Sequence, residues 1–78
     1  MAYKRWKPLI NYIKSARVEQ QGNAYYIVAT FANGSENVIG MFPYEKGNQR
    51  EQSVARRIAQ EYAKRIRKAG EYVRKELS

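Results

Sequence analysis

Two periods divide this chain. Along residues 12–43 apolar and polar positions alternate in the manner of β-strands. From Gln49 onward Val54, Ile58, Tyr62, Ile66, Ala69 and Val73 recur at three- and four-residue spacing, the stripe of an amphipathic helix. Asn33-Gly34 interrupts the alternating part, and both residues tolerate positive φ, so the pair predicts a two-residue type I′ hairpin turn. In that register Thr30 faces Asn37, Ala29 faces Val38, Ile27 faces Gly40 and Tyr25 faces Phe42. One face of the ribbon then carries Tyr25, Ile27, Ala29, Val38 and Phe42, and the other Tyr26, Val28, Thr30, Asn37, Ile39 and Met41. A second two-residue turn at Gly22-Asn23 pairs Val18 with Ile27, Arg17 with Val28 and Ala16 with Ala29, which adds Val18 and Ala16 to the first face. Two turns that agree on one apolar face predict a three-stranded meander over 12–20, 24–32 and 35–43.

The helix is preceded by Lys46-Gly47-Asn48, with Asn48 placed as its N-cap. Gly70 falls inside the stripe. It either sits within a continuous helix, at about 1 kcal/mol relative to alanine, or ends one helix and opens a short second one; continuity is the expectation. Glu61–Arg65 and Glu71–Lys75 are i, i+4 pairs in the favourable order. Residues 8–16 allow two readings, a helical turn opened by Pro8 or the start of a long first strand. The expected fold is α+β: a three-stranded antiparallel meander (12–43) packed on one long C-terminal helix (49–77), with a basic arm (1–8), in a single domain over 1–78. The first reading of residues 8–16 would add a short N-terminal helix.

Composition removes most chemistry. Seventy-eight residues hold one small core, and the chain has no Cys, His or Asp. That excludes disulfides, the usual zinc sites, a Ser-His-Asp triad, a thiol nucleophile and an Asp-based two-metal centre. The seven glutamates are scattered. The expectation is a protein that is not an enzyme and takes no metal or cofactor. Its longest apolar stretches, around 24–32 and 38–44, are shorter than the roughly 18 residues of a membrane span. A cytoplasmic protein with no membrane partner is therefore expected.

Charge changes the picture more. The net charge is +8, yet the middle of the chain is neutral, with Lys14, Arg17 and Lys46 matched by Glu19, Glu36 and Glu45. The excess sits in Lys4, Arg5 and Lys7 and in the last thirty residues. Such ends suit an anionic partner, of which nucleic acid is the commonest. On the helical wheel Arg57, Lys64, Lys68 and Lys75 form one ridge and Arg56, Arg67 and Arg74 another, both away from the apolar stripe. These are candidate phosphate contacts, or equally an ordinary solvated helix face. Trp6, between Arg5 and Lys7, either stacks on a base or folds back as a lid on the domain. On the second sheet face only Arg17, Thr30 and Asn37 suit contact with base edges. Tyr26, Val28, Ile39 and Met41 make that face too apolar for idle solvent contact. They are either covered by the N-terminal segment or form a protein interface, including one between two copies of the chain.

The aromatic-rich second strand Tyr25-Tyr26-Ile27-Val28, the Asn33-Gly34 turn, Ile39-Gly40-Met41-Phe42 and the helix Ala55 to Ala63 carry a resemblance over residues 12–68. In that order they resemble the three-stranded-sheet-plus-helix DNA-binding modules: the APETALA/ethylene-response-factor domain and the arm-binding domains of phage-type tyrosine recombinases. The resemblance implies a sheet laid in the DNA major groove. Those families carry Arg and Lys on the outer strands, whereas this sheet is neutral. With Pro8 to Ala16 as a helix, the chain also resembles the double-stranded-RNA-binding domain, with Gln52-Ser53-Val54-Ala55-Arg56-Arg57 in the place of that family's basic cluster.

Two functions are carried forward. One is a non-catalytic nucleic-acid-binding module, for duplex DNA, that holds phosphates with Lys4, Arg5, Lys7 and the helix cations and sets Arg17 near base edges. The other is a small phage or mobile-element accessory or inhibitor protein whose basic helix occupies an acidic surface of a host complex.

Overall fold

A computed structural model describes residues 11–77. It contains strands β1 (Ile13–Gln21), β2 (Ala24–Phe31) and β3 (Glu36–Pro43), followed by helix α1 (Gln49–Leu77). The strands form one antiparallel sheet in the order β1-β2-β3. This is the α+β meander and long helix that the two periods predict. Of residues 8–16, those from Ile13 on are strand, Asn11 and Tyr12 belong to neither element, and 8–10 lie outside the described residues.

The first hairpin has the predicted register. Gln21 pairs with Ala24, and Val18, Arg17 and Ala16 oppose Ile27, Val28 and Ala29. Gly22 turns with φ +58° while Asn23 keeps a negative φ, the pattern of a type II′ turn. Farther back the β1 strand holds one extra residue: Ile13 pairs with Phe31 and Ser15 with Thr30, leaving Lys14 as a bulge.

The second hairpin departs from its predicted register. Only Gly34 of the Asn33-Gly34 pair has positive φ, at +90°, so a type I′ turn is not made. Phe31 N–H instead donates to the Ser35 carbonyl at 2.8 Å, and Gly34 N–H to the Phe31 carbonyl at 2.9 Å. The loop is therefore three residues, Ala32-Asn33-Gly34, closed by a glycine in the left-handed region. Asn33 Oδ1 accepts from Ser35 N at 2.9 Å and Ser35 Oγ at 2.7 Å, a local bond that suits asparagine to the turn. The longer loop shifts the register by one. Val28 pairs with Val38, Ala29 with Asn37 and Thr30 with Glu36.

A bulge then restores the predicted pairing of Ile27 with Gly40 and Tyr25 with Phe42, leaving Ile39 as the extra residue. The one-residue slip exchanges faces. Ile39 packs against the core, while Val38 moves to the outer face and is 59% exposed. Asn37 leaves the outer face, and Glu36 takes its place beside Thr30.

Asn48 caps α1 as predicted. Its Oδ1 accepts from Glu51 N–H at 3.0 Å, and the Glu51 carboxylate accepts from Asn48 Nδ2 at 3.4 Å and Glu45 N–H at 2.8 Å. This reciprocal arrangement satisfies donors on both sides of the helix start.

The helix meets the sheet through a different line from the predicted stripe. Ala55, Ala59, Ala63 and Gly70 are buried, with Ile66 half-buried among them. Val54, Ile58 and Tyr62 remain 39%, 46% and 44% exposed. Small side chains let the helix approach the sheet closely, and the space beneath is already filled by Tyr25, Ile27 and Tyr44. The Tyr25 and Tyr44 rings pack 5.4 Å apart. Their hydroxyls are satisfied by Gln52 Nε2 at 3.1 Å, and by Gln20 Nε2 at 2.6 Å with the Gly22 carbonyl at 3.2 Å. The helix makes more of its contact with β1 than with β2 or β3. The bulkier residues of the predicted stripe are thus left as a flank toward β3, where Tyr62 meets the Phe42 ring edge-on at 5.9 Å.

Gly70 lies inside one unbroken helix of 29 residues. No helix among the described residues is long and apolar enough to cross a membrane.

Candidate nucleic-acid interface

An α-helix advances about 100° per residue, so the alanine seam fixes where every other side chain of α1 stands. Arg57, Lys64, Lys68 and Lys75 fall on the side opposite the seam, and all are exposed. Arg50 joins that ridge, seven residues before Arg57. It was missed as a candidate although the spacing 50, 57, 64 is visible in the sequence. Arg56, Arg67 and Arg74 form the second ridge, on the β1 side. Arg67 Nη1 donates to the Ala16 carbonyl at 2.9 Å, which places this ridge beside β1. Arg65, also missed, is exposed on the flank toward β3. From Arg50 to Lys75 the first ridge spans about 38 Å at 1.5 Å per residue.

Of the helix acids Glu51 alone is engaged among the described residues; Glu61, Glu71 and Glu76 are exposed, and Glu61 stands beside the first ridge. The Glu51 carboxylate is bound at the N-cap. Arg74 and Lys75 lie in the last turn, where the helix dipole favours cations.

The outer sheet face has a different character. Arg17 Nε donates to Glu19 at 2.7 Å, and its two terminal nitrogens reach Glu36 at 2.8 and 3.3 Å. Thr30 Oγ1 also donates to Glu36, at 3.3 Å. The bidentate bond from Arg17 lowers the Glu36 carboxyl below the usual glutamate range, and the same contacts raise Arg17 further above its already high value. Arg17 is thus clamped between two carboxylates. Of the three polar residues expected to share this face, Arg17 is neutralised, Thr30 is bonded to an acid, and Asn37 has moved away.

The apolar group is divided as well. Val28 is buried and Tyr26 half-buried, Ile39 turns to the helix side, and Met41 is 55% exposed. The outer face presents Met41 and Val38 rather than the four residues together. Lys4, Arg5, Trp6 and Lys7 lie outside the described residues.

Among the described residues, most of the helix cations collect on the back and the β1 side of one rigid rod, and the sheet contributes no net positive charge to its outer face. No protein-family model matches the chain, and comparison with curated proteins and with solved structures finds no match.

Proposed function

We propose that this chain is a non-catalytic nucleic-acid-binding module for duplex DNA, holding phosphates with the back of α1 and with Lys4, Arg5 and Lys7. The observation that carries this reading is the segregation of Arg50, Arg57, Lys64, Lys68 and Lys75 on the side of α1 opposite its alanine seam. Each cation that neutralises a phosphate releases a counterion, so affinity falls linearly on a log–log plot against salt. The clamp on Arg17 by Glu19 and Glu36 argues against docking through the sheet. The contact belongs to the helix instead, unlike the sheet-in-groove mode of the modules the sequence resembles.

The test is binding to duplex DNA, single-stranded DNA and duplex RNA, each titrated with salt. Substituting Arg57, Lys64 and Lys68 together by Gln reduces the salt slope by roughly 0.9 for each phosphate that is no longer neutralised. Absence of binding to any of the three at about 50 mM salt sinks the proposal.

A second reading has one observation in its favour. The flank of Val54, Ile58 and Tyr62 leaves an apolar strip on the same helix as the cations. That pairing suits a phage or mobile-element accessory protein, acting in the cytoplasm, that docks on an acidic protein surface. Partner capture that survives high salt and is lost in Ile58→Lys, with no nucleic-acid binding, would select it.

A further inference from the structure

The cations of α1 do not form one continuous sheet of charge. Around the axis, Arg56 and Arg67 stand about 90° from the ridge of Arg57, Lys64 and Lys68. The strip between these ridges holds no cation. It carries Ser53 and Gln60, seven residues apart, with Glu71 farther along. All three are exposed, and among the described residues no hydrogen bond occupies the side chains of Ser53 or Gln60. Ser53 and Gln60 put uncharged hydrogen-bonding groups between the two cationic rails, as a helix that enters a groove needs, and the acid Glu71 lies about 16 Å beyond Gln60 at 1.5 Å per residue. The rails meet the phosphates, and the strip meets the base edges.

The dimensions agree. On a cylinder about 10–12 Å across, two rails a quarter-turn apart stand roughly 7–8 Å from one another, and their long cationic side chains splay outward from there. The B-DNA major groove is about 12 Å wide and admits one helix. The strip lies on the β1 side, where Gln60, Lys64 and Arg67 border one cleft with Arg17 and Val18. An A-form RNA duplex has a deep, narrow major groove that side chains do not read, which selects DNA.

We infer that α1 is a major-groove reading helix, with Gln60 as its central base-contacting residue and Ser53 beside it. Arg56 and Arg67 grip one phosphate strand, while Arg57, Lys64 and Lys68 grip the other. This rests on the nucleic-acid reading and adds to it a groove, a duplex type and sequence selectivity. A glutamine amide pairs bidentately with adenine N6 and N7, so the site read by Gln60 contains an A·T pair. Arg67 keeps its charge and further donors while one nitrogen holds the Ala16 carbonyl.

The experiment is selection of bound duplexes from a random DNA pool by the full chain. Affinities for the selected duplex, a scrambled duplex and the matching RNA duplex are then measured across salt. The expected result is an enriched site containing A·T. Gln60→Ala, at an exposed position with the fold checked by circular dichroism, loses roughly 5- to 150-fold of the preference for selected over scrambled DNA. Its salt slope stays unchanged. Lys64→Gln instead weakens both duplexes equally and lowers the slope by about 0.9.

Duplex binding without an enriched site, or a preference intact in Gln60→Ala, overturns the inference and leaves the phosphate reading standing. Tighter binding to the RNA duplex overturns it also. No duplex binding at low salt removes both.

Discussion

Gly70 of α1 lies directly against the Ile13 carbonyl oxygen of β1, so closely that a Cβ at that position would collide with it. The contact joins two irregularities. The bulge at Lys14 sits just after Ile13, and the Lys14 carbonyl is the next nearest neighbour of the same position. Backbone that is usually shielded by a side chain is here covered by the absence of one. An alanine at 70 gains about 1 kcal/mol in helix propensity but must push two backbones apart. Gly70→Ala is therefore expected to destabilise by about 1–3 kcal/mol, as a lower urea midpoint at unchanged slope. A gain in stability would mean that helix and strand separate freely there.

The alanine seam and the neighbouring apolar flank make opposite predictions for adjacent residues. Ala59 is fully buried, so Ala59→Leu is expected to cost about 1–3 kcal/mol through overpacking. Ile58 is nearly half exposed, so Ile58→Ala is expected to change stability by no more than about 0.5 kcal/mol. If the bulky stripe were the true seat on the sheet, these results would be reversed. Equilibrium denaturation of the two variants decides it.

Asn48 and Glu51 bind each other's half of the helix start. Asn48→Ala is expected to cost about 1 kcal/mol. The double variant with Glu51→Ala should cost less than the sum, because either substitution alone already frees the same turn. Additive costs would show that the two bonds act independently.

Glu36 offers a pH readout. Its folded-state pKa lies below that of an ordinary glutamate, chiefly through the Arg17 hydrogen bonds. The linked stability is present above the unfolded-state value, near 4.3, and is lost as pH falls through the lower folded-state value. Both groups are exposed, so the contribution is small and salt-sensitive. Carboxyl NMR should show Glu36 titrating below the usual glutamate range and returning to it in Arg17→Met. An unchanged Glu36 titration in that variant would exclude the clamp in solution.

Strand order, the first hairpin and the extent of α1 were all legible from period and turn residues. The second hairpin was not. Asn33-Gly34 serves a two-residue turn and a three-residue loop with the same chemistry, and the choice moves one pairing step. The Ile39 bulge then cancels that step, so the apolar pattern at Ile27 and Tyr25 gives no sign of it. The face of the helix was misplaced for another reason. Apolar period marks bulk, whereas docking on this sheet depends on closeness, which Ala55, Ala59 and Ala63 provide. Gly70 looked like a defect because its partner at Ile13 lies more than fifty residues away in the chain. The cationic ridges were visible because a wheel needs no partner. The neutralisation of Arg17 was hidden because Glu36 reaches the outer face only through the shifted register.

The seam and the ridge lie on opposite sides of one rod and share no residue, which separates two kinds of mutational change. Substitutions at 50, 57, 64, 68 and 75 alter how strongly the rod is attracted to an anion and leave its seat on the sheet intact. Substitutions at 55, 59, 63 and 70 do the reverse. Sequences descended from such a chain can drift far in charge while keeping one shape. A collection of variants randomised only along the ridge would sample affinity on a constant scaffold.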